Sequence, residues 1–423
     1  MQFRPVKGMN DILPGDIERW QRLESVFRST VELHGYSEVR TPILEALELF
    51  VRSTGETTEI VEKQMFEFQR GDERLALRPE GTPGSARAFI GGSVHAKEPV
   101  TRWYYIGPMF RAERPQRGRY RQFHQAGCEL YGDAGPIADA EMIDMLFGLL
   151  RKLGIESFDV RINSLGGTES RTRYRKALQD YLQPKASQLS EHAQKRLLDN
   201  PLRILDSKDP RDREAVQGAP SILEVLEPED QQHFQGLRAA LDALGTPYTV
   251  DAGLVRGLDY YTRTLFEFTS AAGELGTQNA LLGGGRYDGM LQGLGGPDLP
   301  SIGYAMGLER MLLAMGDSEL PKVQRCFVAP IGERAAHQGL VLARDLRSQG
   351  VAVDLEGRGG SLKSMLRRAD ARGARFCLVL GESELERGVV QLKDLSTHSQ
   401  SELPLSDVVS HVRAALSKDE AGG

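Results

Sequence analysis

The chain has 423 residues, of which 40% are hydrophobic and 26% are charged, and its formal net charge is -6. This length and composition predict a soluble globular protein with two or three domains. The acidic balance argues against a protein dedicated to nucleic-acid backbones, so any contact with nucleic acid has to come from local basic patches.

Neither a targeting signal nor a membrane span is evident in the sequence. The amino terminus, Met1 to Gly8, lacks the apolar region of a signal peptide, and no stretch approaches the roughly 18 apolar residues that a membrane span needs. Cys128, Cys326 and Cys377 are far apart, which argues against a disulfide framework or a zinc site. We therefore expect a cytoplasmic protein with no membrane partner.

The first part of the chain predicts helices that flank an antiparallel sheet. Apolar residues recur with helical spacing over residues 16–34, and an extended segment follows at 38–42. A second helix is predicted over residues 137–153, followed by a strand at 159–163. Four short β-type runs between these elements alternate with turn residues, which favours antiparallel pairing over parallel βαβ units. They span residues 64–68, 75–78, 101–107 and 123–131.

The second part of the chain changes character twice. Residues 168–247 are charged, helical in pattern and poor in strands, which marks an inserted domain. A β-type run at 262–268 and a glycine-rich segment at 283–288 follow, and a helix is predicted to start near Ile302 and to continue through Leu312. Strands and helices then alternate over residues 326–417, which predicts a separate small α/β domain.

Residues 256–268 carry a guanidinium and two phenols at the entrance of a predicted strand. Period-two alternation places Thr262 and Thr264 on one face and Arg263 on the other, so Tyr260 and Tyr261 are expected on opposite sides. The segment fits a site for a small charged ligand. It also fits an amphipathic strand with an aromatic plug, and periodicity cannot separate the two.

A basic loop joins the predicted strands at 101–107 and 123–131. Arg111, Arg114, Arg117, Arg119 and Arg121 lie within eleven residues and are opposed by a single carboxylate, that of Glu113. The planar fork of arginine suits phosphate or carboxylate, and several such side chains in one loop suit a polyanion. A solvated basic hairpin is the alternative.

Two carboxylates are candidates for contacts with a small ligand. Gln125 and Glu129 share a strand face with Gly127 between them, which leaves room for a ligand over the glycine. A buried Glu129 needs a partner, and a structural ion pair is the alternative. Glu80 and Thr82 offer a carboxylate and a hydroxyl that accept hydrogen bonds from an ammonium. A plain β-turn explains the same residues.

Small residues and an arginine stand together shortly before the α/β domain begins. Gly303, Gly307 and Arg310 are expected at the opening of the predicted helix. They fit either close approach to a ligand or tight helix packing with a surface arginine.

Together these segments resemble the ordered motifs of the class II aminoacyl-tRNA synthetases, and in particular the bacterial type of the histidyl-tRNA synthetase family. The first motif resembles Val39 to Glu45 with the helix before it, the second Phe110 to Glu129, and the third Gly303 to Arg310. The two histidine-specific signatures resemble Arg256 to Glu267 and Gly283 to Asp288. The resemblance covers nearly the whole chain.

The resemblance implies a class II synthetase fold, an α+β catalytic domain built on an antiparallel sheet with flanking helices. Residues 1–167 and 248–320 are expected to form this catalytic core. A mainly helical insertion is expected at 168–247, and an α/β anticodon-binding domain at 325–423.

It also implies a histidine–tRNA ligase that forms histidyl-adenylate from L-histidine and ATP and then charges tRNA(His). ATP is a substrate, Mg²⁺ is expected with it, and the first motif implies a homodimer. By position, the histidine-binding residues are Glu80, Thr82, Arg111, Gln125, Glu129, Arg256, Tyr260 and Tyr261. The ATP-binding residues are Arg111, Glu113 and Arg310, and Arg256 and Arg111 are the catalytic residues. The loop that meets the tRNA acceptor end supplies Arg114, Gln116, Arg117 and Arg119.

Two departures from the family pattern and one alternative remain. Arg263 stands where the family usually has glycine, and Ala305 replaces the middle glycine of the third motif. We expect a helix to tolerate the added methyl at residue 305 well. The alternative is a regulatory paralogue that binds histidine and partners an ATP phosphoribosyltransferase without charging tRNA. The α/β domain at 326–417 and the presence of Arg111, Arg256 and Arg310 argue against that alternative.

Overall fold

The computed structural model describes residues 3–55, 58, 60–205, 207, 209–255, 258, 260–270, 279–316 and 325–420. They fall into two compact units, Met1–Ser318 and Glu319–Gly423. The helices of the first unit are α1 (Ile17–Leu33), α2 (Leu47–Thr54), α3 (Thr82–Gly91), α4 (Pro136–Lys152), α5 (Thr168–Leu182), α6 (Glu191–Asp199), α7 (Leu202–Leu205), α8 (Pro210–Ala215), α9 (Pro228–Leu244), α10 (Met290–Gly293) and α11 (Leu308–Ala314). Its strands are β1 (Ser37–Glu38), β2 (Leu44–Ala46), β3 (Phe66–Arg70), β4 (Glu73–Leu77), β5 (Thr101–Phe110), β6 (Gln122–Tyr131), β7 (Asp159–Ser164), β8 (Thr249–Val250), β9 (Thr262–Thr269), β10 (Ala280–Arg286) and β11 (Ser301–Gly307).

An eight-stranded sheet forms the centre of the first unit. Its order is β1-β5-β6-β11-β10-β9-β7-β8, and the pairs from β5 to β7 are antiparallel, whereas the edge strands β1 and β8 pair in parallel. The predicted runs at 64–68 and 75–78 correspond to the antiparallel strands β3 and β4, but these lie in a separate three-stranded sheet of order β2-β4-β3. The antiparallel architecture predicted from the sequence is confirmed.

Helix α4 packs against both α1 and α9, and the three helices share the main hydrophobic core with the sheet. In α1, Leu23, Phe27 and Val31 recur every four residues and are fully buried, as an amphipathic helix requires. In α9, Leu237 and Leu241 belong to the same core. This last helix of the predicted insertion therefore packs with the sheet, whereas α5 to α8 contribute to another hydrophobic cluster.

The prediction that a helix starts near Ile302 is wrong for residues 302–307. Residues 301–307 form strand β11, which pairs with β6 on one side and β10 on the other, and α11 begins only at Leu308. Ala305 thus lies opposite Gly127 and Gly283 in a sheet. The argument that a helix accommodates its methyl group does not apply there.

A β-bulge interrupts the start of β9. Thr262 pairs with Arg286 and Leu265 with Gly285, so residues 263 and 264 fall outside the pairing with β10. Arg263 adopts a φ of 42°, a left-handed conformation that costs a non-glycine residue about 1–2 kcal/mol. This backbone position explains physically why glycine suits residue 263, where the present chain has arginine.

The second unit has the α/β alternation that the sequence predicted. Its strands are β12 (Arg325–Pro330), β13 (Ala352–Leu355), β14 (Ala374–Leu380), β15 (Val389–Asp394) and β16 (Ser399–Pro404). Its helices are α12 (Glu333–Ser348), α13 (Leu362–Ala371), α14 (Glu382–Arg387) and α15 (Val408–Glu420). The sheet order is β13-β12-β14-β15-β16, parallel among the first three strands and antiparallel beyond them. Strand β16 and helix α14 were not predicted.

Two expectations based on composition can be compared with the described residues. Cys128, Cys326 and Cys377 are free and buried, so each is a small core side chain. None of the helices within the described ranges combines the length and the apolar character needed to cross a bilayer.

Candidate active site

A cleft of about 740 Å³ is bordered by strands β6, β9, β10 and β11 and by the first residues of α3 and α11. Helices α6, α7 and α8 contribute further lining residues, among them Arg196 and Arg203. The cleft brings together most of the candidate site residues named from the sequence. Those that line it are Glu80, Thr82, Arg111, Glu113, Arg119, Gln125, Tyr260, Tyr261 and Arg310.

Glu129 is a fully buried carboxyl beside this cleft. The Thr82 hydroxyl donates a hydrogen bond of 2.7 Å to its Oε1, and the Tyr287 hydroxyl donates to its Oε2. Burial opposes ionisation more strongly than these hydrogen bonds favour it, and it raises the pKa of Glu129 to about 8. Glu129 is therefore a carboxyl that can exchange a proton near neutral pH, a suitable partner for an imidazole.

This raised pKa gives a testable pH dependence of stability. An unfolded glutamate has a pKa near 4.3, so the folded state holds the Glu129 proton more tightly, and this stabilisation is lost as pH rises through about 8. Glu129→Gln stays neutral and lacks that loss. We expect the melting temperature of the variant, relative to the unaltered protein, to rise by several degrees between pH 5 and pH 8. A difference that stays constant across this pH range in calorimetric scans would contradict the assignment.

Glu80 is a second buried carboxyl of the same region. The hydroxyls of Thr54 and Tyr260 lie 3.4 and 3.5 Å from its two oxygens. Burial raises the pKa of Glu80, while the positive charge of Arg111 lowers it. The guanidinium Nε of Arg111 donates to the backbone oxygen of Pro79, the residue before Glu80, at 3.0 Å. A carboxylate and a guanidinium thus lie close together in the cleft.

Two side-chain placements differ from the sequence predictions. The space over Gly127 holds the Tyr105 phenol, because a Cβ built on Gly127 would lie 2.5 Å from the Tyr105 hydroxyl. The prediction of free room for a ligand there is therefore wrong. Tyr260 and Tyr261 do not point to opposite sides, since their ring centroids are 4.6 Å apart and both line the cleft. Strand β9 begins at Thr262, so its alternation does not extend to them.

The basic loop between β5 and β6 presents its charges in two ways. Arg111 packs over Phe123, with 5.3 Å from the guanidinium carbon to the ring centroid, and Arg119 pairs with Glu113 at 3.3 Å. Arg114, Gln116 and Arg117 are exposed. The loop therefore has an inner end that lines the cleft and an exposed tip.

Arg310 lies in the first turn of α11 and also lines the cleft. It donates to the backbone oxygens of Ala280 and Gly118, at 3.0 and 3.4 Å. These bonds join the start of α11 to β10 and to the basic loop. Arg256 lies outside the described residues, so its predicted role stays a sequence prediction.

The geometry agrees with comparisons to known proteins. Residues 8–311 match the family model described as histidyl-tRNA synthetase, and residues 325–415 match the anticodon binding domain model. The chain belongs to the histidyl-tRNA synthetase family. Its fold is the class II synthetase fold with a carboxyl-terminal anticodon-binding domain, as the sequence predicted.

Individual members of the histidyl-tRNA synthetase family align over nearly their full length. A histidine–tRNA ligase of Sorangium cellulosum is 58% identical over 405 residues, which cover 96% of this chain and 95% of that protein. One from Geobacter sulfurreducens is 46% identical over 402 residues, which cover 95% and 97%. The crystal structure of apo S. aureus histidyl-tRNA synthetase has a TM-score of 0.83 at 33% identity, and the match covers 97% of this chain and 100% of that one.

Three residues beside the site were given no role in the sequence analysis: Tyr287, Arg286 and Asp139. Tyr287 bonds to Glu129, and its neighbour Arg286 is fully buried against Asp139. The glycine-rich segment 283–288 resembles a family signature, but its spacing carries no information about partners more than 140 residues away. Asp139 lies in an ordinary amphipathic helix pattern, which did not predict that its carboxyl is buried.

Proposed function

We propose that this chain is a histidine–tRNA ligase that activates L-histidine with ATP, releases pyrophosphate and transfers histidine to the 3' end of tRNA(His). The observation that carries the proposal is the arrangement of one cleft, where buried Glu80 lies near the guanidinium of Arg111 and buried Glu129 bonds to Thr82 of the cleft lining. Carboxylates suit the ammonium and imidazole of histidine, and arginines suit the phosphates of ATP.

The histidine pocket is proposed to use the polar groups at the inner end of the cleft. Glu80, Thr82 and Gln125 accept from the ammonium, whereas Glu129 and Tyr261 hold the imidazole. Tyr260 donates toward Glu80 and closes the pocket. A competitor without ring nitrogens would leave Glu129 without its polar ligand, and such sites reject analogues by about 10⁴-fold or more.

ATP is proposed to lie across the arginines. Arg111 bridges the histidine carboxylate and the α-phosphate, Arg310 holds the γ-phosphate, and Glu113 contacts the nucleotide. Arg256 is proposed to act on the α-phosphate, where negative charge grows as the carboxylate attacks and pyrophosphate leaves. Mg²⁺ is proposed to enter with ATP, since phosphates, water and one or two carboxylates are its usual ligands at nucleotide sites. Glu267 is one carboxylate in the cleft lining.

Two regions are proposed to contact tRNA(His). The basic loop meets the acceptor end through Arg114, Gln116, Arg117 and Arg119. In the second unit, the anticodon-binding domain offers basic side chains on α13, although Arg368 pairs with Glu356, and Arg372 with Asp354 at 3.5 Å. We also propose a homodimer and a cytoplasmic location, and we keep the domain division at 167, 247 and 320 as a proposal.

Glu129→Gln is expected to raise the KM for histidine by about 10- to 100-fold, because the amide cannot exchange the proton that the imidazole needs. The KM for ATP should stay within about twofold, since Glu129 is assigned to the imidazole of histidine and not to the nucleotide. Steady-state exchange kinetics against each substrate measure both. An unchanged histidine KM would remove Glu129 from the imidazole contact.

Histidine-dependent ATP–pyrophosphate exchange tests the proposed function directly. The folded protein should incorporate labelled pyrophosphate into ATP only when histidine is present, and it should then charge tRNA(His). Histidine binding without exchange would overturn the ligase proposal and indicate a regulatory paralogue that binds histidine without activating it.

A further inference from the structure

Arg263 lies at a junction of three chain segments next to the cleft. Its backbone N–H donates to Gly166, and its carbonyl accepts from Leu165, at 2.9 and 2.7 Å, so the bulge is fixed to the loop after β7. Its side chain reaches the first turn of α9, where Nε lies 3.0 Å from Asp230 and Nη2 lies 2.5 Å from Glu229. The ion pairs partly offset the left-handed backbone at this residue.

Asp230 is the buried partner in this junction, with only 4% of its surface exposed. Besides Arg263, it accepts from the backbone N–H of Gly167 at 2.7 Å and from the Ser170 hydroxyl at 2.6 Å, both at the start of α5. Burial opposes ionisation, but the bonds from Gly167, Ser170 and Arg263 outweigh it and lower the pKa of Asp230. The carboxylate is therefore charged at neutral pH and ties α5, α9 and β9 together.

The same bulge directly follows two residues that line the cleft. Tyr261 and Tyr260 precede it in the chain, and Tyr261 packs under Gly285, where a Cβ would lie 3.1 Å from its ring. On the other side, the Thr262 hydroxyl accepts from the backbone N–H of Asp288 at 3.2 Å. A shift of the bulge would therefore move both tyrosines relative to the glycine-rich segment at 283–288.

We propose that Arg263 is a positioning residue for the histidine pocket, which acts through its ion pair with Asp230 to fix Tyr260 and Tyr261 in the cleft. The inference rests on the proposed function, because the two tyrosines belong to the proposed histidine pocket. Glycine at this position would adopt the backbone conformation without strain. Arginine in this chain adds a charged tether between the pocket and the helices α5 and α9.

Arg263→Ala is expected to raise the KM for histidine about tenfold in the exchange assay, with kcat and the KM for ATP within about twofold of the unaltered protein. The matched control is Arg173→Ala, since the ion pair of Arg173 joins α5 to Glu227 at the same helical junction, whereas the ion pairs of Arg263 start from β9. The control should leave the histidine KM unchanged. The positioning role would be overturned if Arg263→Ala changed the KM for histidine and the KM for ATP equally. A lower melting temperature with an unchanged histidine KM would also overturn it and would leave Arg263 a structural role.

Two further variants separate the ion pair from the backbone. Asp230→Asn should raise the histidine KM as Arg263→Ala does, and the double variant should raise it no further, because both substitutions break the same Arg263–Asp230 ion pair. Arg263→Gly should melt at a higher temperature than Arg263→Ala but show the same raised KM. The proposal would be contradicted if the increases in histidine KM of the two single variants multiplied in the double variant, or if the glycine variant had a normal histidine KM.

The unaltered protein separates this inference from the proposed function. If it shows neither histidine binding in calorimetric titration nor exchange, the proposed function fails, and the inference fails with it. If it is active and Arg263→Ala keeps the normal histidine KM, the positioning role alone fails.

Discussion

Replacement of Arg111 by alanine is expected to slow histidine-dependent ATP–pyrophosphate exchange by about 10²–10³-fold, the loss that accompanies removal of one fixed donor from a site of developing charge. Arg111 is held before any ligand arrives, by its bond to the Pro79 oxygen and by its packing on Phe123. A donor fixed in this way needs no reorganisation as charge grows on the α-phosphate.

The controls for Arg111 separate charge from geometry. Arg111→Lys keeps the positive charge but loses the planar fork, so it should recover only part of the rate. Arg114→Ala removes an exposed arginine of the same loop and should leave exchange within about twofold while it weakens tRNA charging. Single-turnover measurements of adenylate formation report the step itself. A normal rate for Arg111→Ala would exclude this residue from the chemistry.

Local periodicity was reliable where strands are regular. Gln125 and Glu129, four residues apart on β6, both reach the segment at the start of α3, one bonding the Gly81 N–H at 3.1 Å and the other the Thr82 hydroxyl. The shared face follows from the pleat alone. The failure at Tyr260 and Tyr261 has an equally local cause, because they precede the strand and its bulge.

The segment 301–307 shows where sequence periodicity reached its limit. Its glycines and alanine are small enough for a helix opening or a close-packed strand, and the choice depends on its partners β6 and β10, which are distant in the chain. Gly303 lies directly beside the Glu129 carboxyl, where a side chain would collide with it. Such contacts follow from sheet order, which no pattern within one strand records.

The buried polar cluster of Asp139, Arg286 and Thr264 was the hardest part of the molecule to predict from the sequence. Asp139 and Arg286 are both fully buried and 2.7 Å apart, and Thr264 also donates to Asp139, at 2.5 Å. Arg286 gives its other protons to the backbone oxygens of Asp133 and Gly135, at 2.8 and 2.9 Å. The cluster joins α4 to β9 and β10, immediately beside Tyr287 and therefore beside Glu129.

Asp139→Ala is accordingly expected to lower the free energy of unfolding by about 3–5 kcal/mol, since it leaves the Arg286 charge buried without its carboxylate. The measurement belongs near pH 7.5, because burial raises the pKa of Asp139 to about 6 against the opposing charge of Arg286, and the carboxyl is ionised above that value. Denaturant unfolding followed by two probes gives the difference.

The matched control for Asp139 lies two residues along the same helix. Glu141→Ala removes a half-exposed carboxylate that pairs with Arg102 at 2.7 Å, and its loss should cost less than about 1 kcal/mol. Asp139→Asn keeps an acceptor for Thr264 and Arg286 but not the charge, so its loss should lie between the two. At temperatures where the Asp139→Asn variant is folded, this substitution should also raise the histidine KM, because Arg286 fixes the backbone that presents Tyr287 to Glu129. An alanine variant as stable as the control would mean that the buried pair does not hold these strands in place.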